Sequence, residues 1–139
     1  MLDKIYVFDD IIDLDYQNKI KSVLTEEGLH NNKYFPWYFI GDITLSDSGN
    51  QKRRAFTHQY VDYEVGIMSD FHDLFVNLIK ASCSKIKVGE VDVYQGRSFL
   101  QLPSNIKKEN VDSPHVDMPN QHFVMLYYVC DSDGDTIIY

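Results

Sequence analysis

Two residue types that bind metals stand two positions apart in the stretch SPHVDMPNQHFVMLYYV: His115 and Asp117, with Val116 between them. In an extended backbone, residues i and i+2 project to the same side. The imidazole and the carboxylate can therefore reach one ion. That donor pair suits a borderline divalent metal such as Fe(II), Zn(II) or Mn(II). Two donors leave a site incomplete, so at least one more must come from elsewhere. His122, at the start of the following apolar run, is the nearest further imidazole. With His115 and Asp117 it would make a zinc set of the hydrolase kind. The plain alternative is a loop histidine and a turn aspartate with no metal role. The acidic run Asp131-Ser132-Asp133-Gly134-Asp135 lacks the spacing and flanking helices of a calcium loop and reads as a hairpin turn.

The elements around the triplet decide where its side chains can point. The octet His122–Val129 is β-branched, aromatic and apolar on both alternating faces, which predicts a central strand. The turn at Asp131–Gly134 then opens a return strand, so strands are expected over 122–139. Glu90–Pro103 reads as a long strand bent at Gly96. Ala55–Val61 alternates, with Phe56, His58 and Tyr60 on one face. Phe35–Ile40 is an aromatic strand, mainly over 36–40 because Pro36 suits a strand start or edge. Lys4–Phe8 alternates as well.

Two helices are expected, near 13–27 and 69–84. In the first, Asp13 is the N-cap, Tyr16, Ile20, Val23 and Leu24 form the apolar face, and Gly28 is the stop. In the second, Ser69 is the N-cap and Phe71, Leu74, Phe75, Leu78 and Ile79 recur at helical spacing. Cys83 falls on that stripe and His72 off it. Helices early and strands late predict an α+β fold with antiparallel pairing.

The 139 residues suit a single domain, and 44% apolar residues with ten Tyr and eight Phe can build a core. A net charge of −8 disfavours a nucleic-acid polymer as partner, because phosphate contacts need clustered cations. The basic clusters Lys52-Arg53-Arg54 and Lys107-Lys108 are short and lie among turn residues, as solvated loop charges do. Cys83 and Cys130 form no CxxC pair and no disulfide framework, which fits a reducing compartment. The N-terminus lacks the pattern of a signal peptide, and no window has the length of a membrane span. A cytoplasmic protein without membrane contact is expected.

The stretch PHVDMPNQHFVMLYYVCDSDGDTIIY resembles the core of the 2-oxoglutarate/Fe(II) dioxygenases of the prolyl 4-hydroxylase type. That family sets an HxD triplet in a loop, then a strand with a tyrosine pair, then an acidic or glycine turn opening the next strand. Here these pieces are His115-Val116-Asp117, Tyr127-Tyr128-Val129 and Asp131–Thr136. FPWYFI and AFTHQYV also look like segments of small dioxygenase-like proteins of phages and marine bacteria. The resemblance is loose over most of the chain and specific from about Arg97 to Tyr139.

The resemblance implies N-terminal helices packed on a double-stranded β-helix, a jelly-roll or cupin-like frame. It makes His115 and Asp117 ligands of Fe(II), with 2-oxoglutarate as co-substrate. It makes Tyr128 a hydroxyl donor to the distal carboxylate of 2-oxoglutarate; the alternative is an aromatic packed in the core. Gln101 and Arg97, on the strand before the metal loop, would assist with the co-substrate; for each the alternative is a surface strand position. His58 either looks into the pocket or is a hydrogen-bonded core histidine. The reaction implied is hydroxylation of a C–H bond in a small molecule or peptide, coupled to oxidative decarboxylation of 2-oxoglutarate.

The family's second histidine ligand and its basic co-substrate residue come from a later strand that this sequence does not contain. The expectation is therefore a frame incomplete at its C-terminus, with turnover very weak or absent in the 139 residues alone. A homodimer pairing through the C-terminal strand would cover the exposed strand edge. Two other functions stay open. One is a catalytically inactive jelly-roll module for binding or assembly. The other is the zinc hydrolase using His115, Asp117 and His122.

Overall fold

The computed structural model describes residues 5–26, 28–43, 52–103, 115–132 and 136–138. Lys4, the Lys107-Lys108 pair, positions 133–135 of the acidic turn and Tyr139 lie outside the described residues. The chain divides into two units. One combines Met1–Pro36 with His58–Ser98, the other Trp37–Thr57 with Phe99–Tyr139.

In the first unit, helix α1 spans Leu14–Thr25. Its start is set as the sequence predicts: the Asp13 carboxylate accepts the Tyr16 N–H at 2.8 Å. That bond satisfies one of the donors a helix N-terminus leaves open. Ile20, Val23 and Leu24 form the buried face. Beyond the helix, Gly28 has φ +66° and donates its N–H to the Ser22 carbonyl. Glycine adopts that left-handed conformation without the penalty of a Cβ.

A short antiparallel hairpin follows, β1 (Leu29–His30) and β2 (Lys33–Tyr34), with His30 opposite Lys33. Its loop is Asn31-Asn32, both at positive φ (49° and 60°), the type I′ geometry that asparagine tolerates. The second helical region begins as a 3₁₀ turn, Asp70–His72, and continues as α2, Asp73–Ile86. Ser69 caps the turn by accepting the Phe71 N–H at 3.2 Å. Lys87, at φ 58°, closes α2 by donating its N–H to the carbonyls of Cys83 and Ser84. Phe71, Leu74 and Leu78 are buried, and Phe75, Ile79 and Cys83 half-buried.

Strand β4 spans Ala55–Asp62 and turns back into β5, Gly66–Ile67, with Val61 opposite Ile67. Tyr60 and Val61 enter the core of the first unit together with Phe35, Ile20, Phe71, Leu74 and Leu78. Burying one such aliphatic side chain is worth about 1.5–3 kcal/mol. The Tyr16 hydroxyl donates to the Leu74 carbonyl at 2.9 Å, which ties α1 to α2.

In the second unit, β3 (Tyr38–Ile40) pairs antiparallel with the start of β4, in the register Phe39 to Phe56. The two rings meet edge to face at 5.7 Å. Ala55 is fully enclosed. The Leu102 N–H donates to the Arg54 carbonyl at 3.1 Å, just past strand β6 (Gly96–Gln101), which pairs with β4.

The result is a mixed fold of helices and antiparallel sheet, the α+β class that the order of elements predicts. Several strands are shorter than expected. β3 starts at Tyr38 rather than 36, because Pro36 has no N–H to give to a ladder. The strand expected over 90–103 is confined to Gly96–Gln101. The one expected over 122–139 has no counterpart among the described residues, where 121–129 and 136–138 are neither helix nor strand. Residues 5–8 are likewise irregular and exposed. Alternation determines which face a strand would bury, but a strand exists only where a neighbour completes its ladder. No helix among the described residues is long and apolar enough to cross a membrane.

Candidate metal centre

His115 and Asp117 lie in an irregular segment of the second unit. Their side chains turn towards each other: His115 Nε2 is 3.7 Å from Asp117 Oδ1. His115 is 60% exposed and Asp117 36%, so an ion could reach both from solvent. The two side chains, two positions apart, thus present an imidazole nitrogen and a carboxylate oxygen close together.

His122 does not join them into a three-donor set. Its Nδ1 is 2.7 Å from the carbonyl of Asn120, two residues back, and its ring is exposed. Among the described residues, no group of three His, Cys, Asp or Glu side chains is placed to hold a metal ion.

Tyr128 is 59% exposed rather than packed in a core. Its hydroxyl is hydrogen-bonded to the hydroxyl of Thr136. Thr136 stands directly after the acidic run in the sequence. The neighbouring Tyr127 is half-buried, and burial raises its pKa above the ordinary phenol value. Arg97 and Gln101 both lie on β6 and are exposed, Arg97 within the first unit and Gln101 within the second.

His58 belongs to the first unit and is 4% exposed. Its Nδ1 is 2.8 Å from the Pro36 carbonyl and its Nε2 is 2.8 Å from Ser69 Oγ. A carbonyl only accepts, so Nδ1 carries the proton and donates to Pro36. Nε2 then accepts the Ser69 hydroxyl, while Ser69 Oγ accepts the Phe71 N–H. Phe35 and Tyr60 flank the ring at centroid distances of 4.6 and 4.9 Å. Burial lowers the His58 pKa, and the bond to Pro36 partly opposes that. This is the hydrogen-bonded core histidine of the two sequence readings, and it serves packing.

A second polar cluster in the first unit is invisible in the sequence. The buried His30 places Nε2 2.7 Å from Asp73 Oδ1, and the Asn31 amide donates to Asp73 Oδ2 at 3.1 Å. Lys33 bonds Asp70 beside them. Desolvation works against the Asp73 carboxylate, but the bonds and charge of His30, the Asn31 bond and Lys19 together lower its pKa. The cluster fastens the β1–β2 hairpin to the start of α2. His30 and Asp73 are 43 positions apart, and no local pattern links them.

Cys83 is half-buried and Cys130 exposed, and both thiols are free. Comparison with known proteins adds no relative: no family model, no curated protein and no solved structure matches this chain.

Proposed function

We propose that the His115–Asp117 segment is the metal-binding part of an Fe(II)- and 2-oxoglutarate-dependent oxygenase site on a jelly-roll frame. The substrate would be a small molecule or peptide. The observation that carries this reading is the approach of His115 Nε2 to Asp117 Oδ1 at 3.7 Å.

The pair fits an ion on simple geometry. Two ligand atoms at about 2.1 Å from one metal stand roughly 3.0 Å apart at a right angle and roughly 3.4 Å apart at a tetrahedral angle. The observed separation exceeds these by less than about 1 Å, which small rotations of two exposed side chains can close. The choice of iron and 2-oxoglutarate rests on the resemblance of the HxD triplet, tyrosine pair and turn. When bound, iron with its co-substrate would supply the oxidising chemistry. The chain's own part is to hold the ion through His115 and Asp117. Tyr128, with its hydroxyl exposed and bonded to Thr136, offers a donor suited to a carboxylate oxygen.

The alternative is a binding or assembly module that does no chemistry. The zinc hydrolase has less support, because His122 is turned to the Asn120 carbonyl.

Anaerobic titration tests the proposal. Fe(II) followed by 2-oxoglutarate should give a weak visible charge-transfer band with the wild-type chain. His115→Ala and Asp117→Ala should each abolish it while far-UV circular dichroism stays unchanged. No iron binding by the wild type, or a band that survives both substitutions, would overturn the site. Iron binding without a band on adding 2-oxoglutarate would support the module instead. Zinc affinity that collapses in His122→Ala would point to the hydrolase.

A further inference from the structure

We draw no further inference here: the strongest candidate, the exposed apolar stretch Phe123–Leu126 with Tyr128 in the second unit, carries nothing because nothing in the structure shows what covers it.

Discussion

Replacing His58 by phenylalanine keeps a flat ring of similar size among Phe35, Tyr60 and Phe71 but removes both ring nitrogens. The Pro36 carbonyl then loses its donor at 2.8 Å, and the Ser69 hydroxyl loses its acceptor at the same distance. A buried polar group left without a partner costs about 1–3 kcal/mol. Ser69 keeps the Phe71 N–H and can turn its own proton elsewhere, so its share is at the low end. The carbonyl carries most of the loss, and the ring packing is nearly conserved. The expected destabilisation is therefore about 2–4 kcal/mol, read from the urea midpoint by circular dichroism at pH 8.

The pH dependence supplies an independent check. Burial holds the folded-state pKa of His58 below its unfolded value of 6.5. The unfolded chain then binds more protons than the folded one as pH falls through that value. His58 thus contributes stability that is fully present above the unfolded pKa and is lost as pH drops towards the folded one. The stability difference between wild type and His58→Phe should shrink from pH 8 to pH 5, because only the wild type must charge or unfold a buried imidazole. A variant within about 0.5 kcal/mol of wild type, with an unchanged pH slope, would refute the assignment of His58 as a hydrogen-bonded core residue.

Three further outcomes follow from the first unit. Asp73→Ala should cost about 1 kcal/mol at pH 7, because His30 loses its partner while the carboxylate itself is 56% exposed and partly screened. Since the Asp73 pKa is lowered, that contribution is present above the unfolded carboxylate pKa and is lost as pH falls through the folded one. The variant and wild type should therefore converge in denaturation at acid pH. Asp13→Ala should cost about 1 kcal/mol through loss of the α1 N-cap, and Asp13→Ser should recover most of it; thermal melts distinguish the two. Ile20, which has no exposed surface, should lose about 2–5 kcal/mol on truncation to alanine and about 0.5–1.5 on truncation to valine. Equal urea midpoints for the two would contradict its place in the core.

Both helices are legible because their causes are local. Asp13 reaches the N–H of Tyr16 three residues on, and the Leu74–Leu78 spacing is one helical turn whatever lies opposite. β4 is legible for a related reason: its alternation matches a strand with neighbours, and β3, β5 and β6 provide them. The β1–β2 hairpin is not legible because each strand has two residues, too few for a period. Asn31-Asn32 was its one available signal. The apolar octet His122–Val129 had the strongest strand pattern of all, yet its described residues form no strand. Propensity is a property of the segment, whereas a ladder belongs to the pair.

The same division runs through the candidate site. The sequence by itself set His115 and Asp117 two positions apart, the spacing on which the proposal of a shared ion rests. Tertiary structure alone decided that His58 serves the core, because its two partners, Pro36 and Ser69, are 22 and 11 positions away. It alone joined His30 to Asp73, 43 positions apart. Side-chain hydrogen bonds of this kind depend on which backbone segments meet, and that is settled by burial of the core rather than by neighbours along the chain.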